Sequence, residues 1–489
     1  MLTESICDDN YRVLDELTDY VNATLLNGIV PSIPFNILII LSEKKVFNPV
    51  KSDITSKGYC YQTLIYLALK KAEINDLEFD IYLNFLEYLS FFFFDTNTSS
   101  FTLNQYENFI TQYGIEYNQP IPIDSLIKKL QISKIFYKNS IGEYHFNSEY
   151  IFFFFVAKYL ANHKDDSEVN KKIVEIYNSL EIESHGYIGV FIIHHIKDNT
   201  ILDEIQFNLL LLYEDISEVT LNKDECEFLY NHISELSKLS LKANNSSFKK
   251  REERLSIKDK NDEIEKEIQK KNNKRNNDES DSFDINDELS SLRKALRTVE
   301  VMGQILKTRT GSFKKDKQKE YFEEAFKVYL RITNRFLLDF KENEQTFLDF
   351  FTERINKIEQ KKIDESDRYK IAYSTFLNFN IMNFIACIKR TTHTLCSSQI
   401  LNIVQEVCSE MNTPISKLVS IQSQMWYNKE IPIEQIKKMM TNMEFLEQRI
   451  LKVLVIDYCE LHDVHYRDKQ KIASNLDIQL KLLQKDNTK

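Results

Sequence analysis

The sequence predicts an all-α, mostly helical protein with a small β-hairpin in a winged-helix-like N-terminal region. The chain of 489 residues has only 8 Gly and 7 Pro, whereas sheet-rich folds need Gly for turns and for close approach of the backbone. Apolar residues also recur three and four positions apart over long segments, which is the spacing of amphipathic helices. Hydrophobic residues make up 43% of the chain, enough to bury a large core.

The length is compatible with two to four domains, and we predict four segments. They are a winged-helix-like region over 1–165, a helical domain over 166–243, a linker over 244–287 and a C-terminal helical domain over 288–489. The linker consists almost entirely of charged or amide residues, so it buries too little apolar surface to offset the entropy of ordering. We therefore expect it to be disordered.

The first region is expected to begin with helices. The predicted helices are 9–26, 35–41, 61–69, 79–93, 103–113 and 125–130. Thr102 and Asp124 stand where N-caps would begin the last two helices, and Gly114 is expected to end the helix that starts at residue 103.

A hairpin and a further helix complete this region. Two short apolar strands are predicted at 135–137 and 144–146, and the Asn-Ser-Ile-Gly sequence at 139–142 supplies turn residues between them. Ser148 then stands at an N-cap position. A helix is predicted from there to about Asn162.

The remainder of the chain is expected to be helical, with a bundle or irregular stack of antiparallel helices at its C-terminal end. Residues 168–242 are predicted to be helices, and an apolar stripe predicts another helix that ends near Gly303. The further predicted helices are 316–341, 345–361, 366–390, 398–411, 415–427, 432–462 and 468–484.

One run near the hairpin resembles a known family. Residues 146–161 read Phe-Asn-Ser-Glu-Tyr-Ile-Phe-Phe-Phe-Phe-Val-Ala-Lys-Tyr-Leu-Ala. This run resembles the end of the winged-helix module that follows the nucleotide domain in STAND NTPases of the NACHT type. The positions that we take as the interdomain motif are Phe146, Ser148, Ile151, Phe154, Phe155, Ala157, Tyr159 and Leu160.

The resemblance covers roughly residues 25–165 and departs from the family at two polar markers. Ser148 stands where the family has His, and Phe153 stands where it has Glu. The run 301–313 is also similar to the helical tails of some bacterial NACHT-like proteins. The resemblance implies a prokaryotic signalling protein whose NTPase oligomerises when a sensor domain meets its ligand.

Motifs for catalysis and cofactor binding are missing from the sequence. A Walker A loop needs G-x-x-x-x-G-K-[S/T], and none of the eight Gly fits this pattern. No G-x-S-x-G nucleophile motif occurs either. We predict a chain that is not an enzyme, with no catalytic site and no cofactor, so that any ATPase activity would come from a separate domain.

Histidine and cysteine patterns do not favour a metal site or a nucleophile. On one helix, Cys459, His462 and His465 would spread over about 240° of arc, so three ligands could not converge. His194 and His195 are expected to be ordinary core or surface residues. The seven cysteines include no CxxC pair and are expected to be reduced, mostly buried thiols.

Charge and hydropathy indicate a soluble, cytoplasmic protein. The net charge of −11 gives no overall field that attracts nucleic acid, and the basic clusters near Lys249 and Lys307 are expected to be solvated helix faces. Nucleic acid is left open as a partner but is not indicated. Apolar runs are far shorter than the roughly 20 residues of a membrane span, so no membrane association is expected.

Together these observations predict a non-catalytic regulatory or sensor half of a STAND, NACHT-like signalling NTPase, in prokaryotic defence against phage. The expected partners are proteins, either an NTPase domain or further copies in an oligomer. The alternative is a stand-alone helical scaffold or adaptor that has no NTPase partner. An apolar patch near the N-terminus, where a missing domain would dock, would separate the two.

Overall fold

A computed structural model describes residues 57–481, apart from 99, 118–121, 197–199, 231–232, 234–235, 243–246, 248, 255, 258–259, 261–282 and 359–363. The predicted helices at 9–26 and 35–41 and most of the predicted linker lie outside the described residues. The chain divides into two compact units, Met1–Asn208 and Leu209–Lys489. The four-segment division over 1–165, 166–243, 244–287 and 288–489 stays a prediction.

The first unit is helical with one small hairpin, as the sequence predicts. Its helices and strands are α1 (Lys57–Lys71), α2 (Phe79–Asp95), α3 (Leu103–Glu116), α4 (Ile123–Ile132), β1 (Phe136–Lys138), β2 (Tyr144–Phe146), α5 (Glu149–Asn162), α6 (Ser167–Asn178), α7 (Glu183–His195) and the start of α8 (Thr200–Leu211). Helix α5 packs against α2 on one side and against α7 on the other. It is therefore the central helix of this unit.

The predicted hairpin is confirmed. Strands β1 and β2 pair antiparallel, with Phe136 opposite Phe146. The Asn139 side-chain oxygen accepts hydrogen bonds from the backbone N–H groups of Ile141 and Glu143, which closes the turn as an Asx turn. Gly142 has a φ of +94°, a conformation that only Gly adopts readily.

A third short extended residue joins the hairpin. Phe101, between α2 and α3, pairs antiparallel with Tyr144, with backbone bonds of 3.2 and 2.9 Å in both directions. The element order is thus helix, pairing residue, helix, helix and hairpin. A winged helix has this order of elements, and here it leads directly into α5.

The second unit is a stack of helices with one two-stranded sheet. Its remaining elements are α9 (Glu227–Tyr230), β3 (Ser240–Lys242), α10 (Phe283–Thr308), α11 (Lys315–Glu342), α12 (Glu344–Ile358), α13 (Glu365–Leu395), α14 (Leu401–Met411), α15 (Pro414–Asn428), α16 (Ile433–Met440), α17 (Phe445–Leu461), α18 (Tyr466–Asn475) and β4 (Gln479–Lys481). Helix α13 packs against α10, α11, α12, α15 and α17 and forms the middle of the stack.

Several predicted boundaries are wrong. Gly114 does not end its helix: α3 continues to Glu116. A Cβ at Gly114 would have no atom within 4 Å. Asp124 lies inside the first turn of α4 rather than at its cap, which is Pro122. The predicted helix 432–462 is two helices, α16 and α17, since the chain leaves the helix after Met440.

The C-terminal prediction of one helix over 468–484 is also wrong. Helix α18 ends at Asn475, and Asp477 then takes a φ of +49°, which turns the chain out of the helix. Residues Gln479–Lys481 pair in parallel with Ser240–Lys242. Parallel pairing joins segments far apart in sequence, so no local pattern predicts it.

Gly303 lies in the interior of α10, which runs to Thr308, so the predicted helix end at this glycine is wrong. A Cβ built at Gly303 would collide with the Thr394 carbonyl oxygen and would lie 3.0 Å from its carbonyl carbon and 3.2 Å from its methyl group. Glycine is needed here because α10 and α13 approach closely, not because of a left-handed turn.

One described helical segment, Asp367–Leu395, is long and apolar enough to cross a membrane. Of its apolar window, 56% is buried inside the fold. The core helix of a soluble protein has the same property, so this helix is weak support for a membrane span.

Candidate functional site around the aromatic helix

The aromatic helix α5 starts where the sequence predicts, directly after β2. Ser148 occupies the N-cap position with extended backbone (φ −140°, ψ 122°), but its side chain makes no capping hydrogen bond. Glu149 follows in the first turn, where a negative charge is favourable at the positive end of the helix dipole. Ser148 therefore marks the start of the helix through its extended backbone and not through a side-chain hydrogen bond.

Four of the predicted motif residues form the buried face of α5. Phe155, Ala157 and Leu160 are fully buried and Phe154 is nearly so. The Phe154 ring packs edge-on against Phe191 of α7, with ring centroids 5.7 Å apart. Burying an aromatic side chain contributes about 1.5–3 kcal/mol, so this face holds α5 in the first unit.

The other predicted motif residues are only half-buried. The Phe146 ring packs edge-on against Phe136 across the hairpin, with centroids 4.7 Å apart. Ile151 lies in the first turn of α5. Tyr159 stacks on Phe91 of α2 at 3.9 Å and on His163 at 4.1 Å, and burial, followed by nearby acids, raises the pKa of Tyr159 to about 12.

A directional chain of hydrogen bonds runs from this tyrosine stack to α3. The Nδ1 of His163 lies 2.9 Å from the Tyr159 carbonyl oxygen, so Nδ1 must donate. In the neutral ring Nε2 is then an acceptor, and the Tyr88 hydroxyl, at 2.8 Å, donates to it. The Tyr88 oxygen in turn accepts from the Tyr117 hydroxyl. With the ring neutral, the hydrogen bonds run in one direction, from Tyr117 through Tyr88 to His163.

A largely buried ion pair is formed by residues that directly precede Tyr88, Tyr159 and His163 in the chain. Glu87 of α2 is 3% exposed. One of its oxygens accepts a 2.6 Å hydrogen bond from the Asn162 amide, and the other lies 3.5 Å from the Lys158 ammonium. A buried carboxylate is costly unless it is paired, and this pairing uses two residues four positions apart on α5.

An open cleft of about 430 Å³ lies beside this ion pair. It is lined by residues of α2, α3 and α5: Asp80, Ile81, Leu83, Asn84, Glu87, Tyr113, Tyr117 and Lys158. The Asn84 amide donates to the Tyr113 hydroxyl at 2.8 Å. The cleft thus combines two carboxylates, one ammonium and two aromatic rings.

Sequence reasoning missed this polar set. Its members are Glu87, Tyr88, Tyr117, Lys158, Asn162 and His163. They come from three helices as much as 75 positions apart, so their juxtaposition has no local signal. A charged residue on the apolar helix α2 is the one feature that could have drawn attention to Glu87.

The histidine pair on α7 is half-buried. Burial lowers the pKa of His194 to about 4. Burial, together with the charges of His194 and Lys158, lowers the pKa of His195 to about 3. The His195 ring packs on Phe154 with centroids 4.8 Å apart. Both rings are therefore neutral at pH 7, and the His195 ring supports α5 by packing on Phe154.

This burial predicts a loss of stability in mild acid. The pKa of His195 is lower in the folded chain than in the unfolded chain, where it is about 6.5. Its stabilising contribution is complete above pH 6.5 and is lost as the pH falls toward 3. Urea titrations at pH 7 and at pH 5 measure how far the free energy of unfolding falls between the two pH values. In His195→Gln this fall should be smaller than in the parent by on the order of 1 kcal/mol. His465→Gln, at an exposed position, should keep the parent's loss.

Buried thiols argue against a cysteine nucleophile in the second unit. Cys226, Cys387, Cys396, Cys408 and Cys459 are free and buried. Burial raises the pKa of Cys396 to about 12, and its sulfur contacts the Thr391 carbonyl and the Ser423 hydroxyl. The thiolate is the reactive form, so such a thiol is inert.

Thiol labelling checks this arrangement. With a disulfide reagent at pH 8, at most the two other cysteines, Cys7 and Cys60, should react rapidly in the native protein. The five buried thiols should react only after urea unfolds the chain. Rapid native labelling of three or more thiols would contradict the described burial.

Among the described residues, no group of three or more His, Cys, Asp or Glu side chains is arranged to hold a metal ion. Cys459 is buried in α17, His462 caps that helix and His465 is exposed beyond it. Comparison of the chain with protein-family models, with curated proteins and with solved structures finds no match.

Proposed function

We propose that this chain is the non-catalytic regulatory or sensor half of a STAND, NACHT-like signalling NTPase, acting in the cytoplasm of a prokaryote in defence against phage. One observation carries the proposal. The run that resembles the family's motif forms a helix that directly follows a hairpin, in the element order of a winged helix. The motif residues Phe155, Ala157 and Leu160 form its buried face.

The proposal gives α5 the role of transmitting a conformational state. Its two main neighbours are α2, through Phe91 and Glu87, and α7, through Phe191 and His195. A rigid helix fixed on both sides moves with its neighbours rather than bending alone, because packed cores are not continuously deformable. A displacement at the hairpin would therefore reach α7.

Helices α12 and α13 supply the proposed partner surface. Phe350, Phe379 and Met382 are 48%, 53% and 54% exposed, and large exposed apolar side chains mark interaction sites when they cluster. The Phe340 and Phe379 rings lie 5.3 Å apart, which ties this surface to the core of the second unit. The partner would be an NTPase domain or another copy in an oligomer.

The second candidate is a stand-alone helical scaffold, and the same exposed apolar residues favour it, because a scaffold also needs a partner surface. The apolar patch that would separate the two candidates is expected within residues 1–56, which lie outside the described residues. A different observation is therefore needed.

The test is to sequence the genomic DNA directly upstream and translate it. The proposal predicts a reading frame, fused or adjacent, that encodes a Walker A loop. If the upstream DNA encodes no such loop, the split-NTPase proposal fails and the scaffold remains.

A further inference from the structure

The cleft between α2, α3 and α5 has the chemistry of a ligand site. Its volume of about 430 Å³ lies within the usual range of small-molecule pockets, roughly 300–1,000 Å³. The walls are apolar at Ile81 and Leu83, aromatic at Tyr113 and Tyr117, and polar at Asp80, Asn84, Glu87 and Lys158. Such a mixture holds an extended apolar body and orients its polar ends.

The charges around the cleft favour a cation. Asp80 stands in the first turn of α2, and Glu87 lies two turns further along the same helix. Lys158 is the one ammonium among the lining residues. An anionic ligand would meet net repulsion here.

The Glu87 oxygen that lies near Lys158 makes only a long contact. The bond from Asn162 to the other Glu87 oxygen is 2.6 Å long, whereas the Lys158 ammonium is 3.5 Å away and a good ammonium–carboxylate hydrogen bond is about 2.7–2.9 Å. A ligand ammonium could approach the oxygen near Lys158 more closely than Lys158 does. Tyr113 and Tyr117 line the same cleft, and aromatic rings attract ammonium groups.

We propose that this cleft binds a small linear alkyl diamine, with one ammonium at Glu87 and the other near Asp80. The methylene chain packs on Leu83 and the tyrosine rings. The hydrogen bond from Tyr117 to Tyr88 and the bond from Asn84 to Tyr113 hold the two rings in place. The inference is independent of the proposed NTPase partnership, since it concerns only residues of the first unit.

The test is isothermal titration of the full chain with putrescine at low ionic strength. Saturable binding of one putrescine per chain is expected, with no heat from 1,4-butanediol, which has the same length and no charge. Glu87→Gln and Asp80→Asn should each weaken putrescine binding by roughly tenfold or more, the loss that one charge-assisted hydrogen bond gives. Glutamine at position 87 keeps an acceptor for Asn162, so folding should be retained.

Asp203→Asn is the matched control, because Asp203 also lies in the first turn of a helix and its loss changes the net charge equally. This variant should bind putrescine as the parent does. Heat that does not saturate, or equal affinities in the parent, Glu87→Gln and Asp203→Asn, would overturn the proposal. A thermal melt of each variant shows whether it is folded. If Glu87→Gln does not fold, Asp80→Asn still tests the proposal, because Asp80 is exposed.

Discussion

Replacing Gly303 with alanine is expected to lower the free energy of unfolding by about 1–3 kcal/mol. Alanine is the better helix former by about 1 kcal/mol, so an unhindered site inside α10 would gain stability. Here the added methyl group meets the Thr394 backbone carbonyl, which cannot move without shifting α13. The steric cost should therefore exceed the gain in helix propensity.

Gly311→Ala is the control for this prediction, because nothing lies within 4 Å of a Cβ at that position. Urea unfolding followed by circular dichroism should show Gly311→Ala within about 0.5 kcal/mol of the parent or slightly more stable. If Gly303→Ala were as stable as Gly311→Ala, the close approach of α10 to α13 would be wrong.

Replacing Phe155 with alanine should lower the free energy of unfolding by about 3–5 kcal/mol, the usual cost of removing a buried aromatic ring. Phe155 is fully buried in the first unit, and its ring contacts Phe154 with centroids 5.4 Å apart. The surrounding helices α2 and α7 are held in place by other contacts, so the cavity cannot collapse completely.

Phe207→Ala separates this effect from the general cost of losing a phenylalanine. Phe207 lies on α8 and is 57% exposed, so its loss should cost no more than about 0.5 kcal/mol. Both variants are measured by the same urea titration. If both variants lost the same small amount of unfolding free energy, Phe155 would not lie in the core of the first unit.

The local features of the fold could be predicted from the sequence. The hairpin at Phe136 and Phe146 follows from its turn residues, because Asn139 and Gly142 suit only a narrow set of backbone conformations. The start of α5 after Ser148 follows from the same kind of local rule. Helical periodicity gave the number and position of most helices because each one buries a single face.

Non-local features could not be predicted. Gly303 reads as a helix end, yet its role depends on Thr394, 91 positions away in the chain. The sequence pattern predicts a helix at β4, whereas pairing with β3 holds this segment in an extended conformation. The contact of Glu87 with Lys158 and Asn162 depends on how α2 packs against α5.

Four of the motif residues form the buried face of α5, whereas Phe146 lies in β2 and Ser148, Ile151 and Tyr159 are half-buried. The cleft, however, includes Lys158, at a position that the motif leaves variable, and Asn162 contacts Glu87 from just beyond the end of the motif. A pattern chosen for its apolar residues cannot indicate what its polar residues contact.

The proposal of a regulatory half is tested most directly by assembly with an NTPase. The chain is co-expressed with the Walker A protein encoded beside it, and particle masses are measured by mass photometry with ATP, with ADP and with a partner that lacks its Walker A lysine. The account predicts a complex containing both proteins that grows into a larger oligomer only with ATP and an intact lysine. A chain that has the same mass in all conditions, separate from the NTPase, would contradict it.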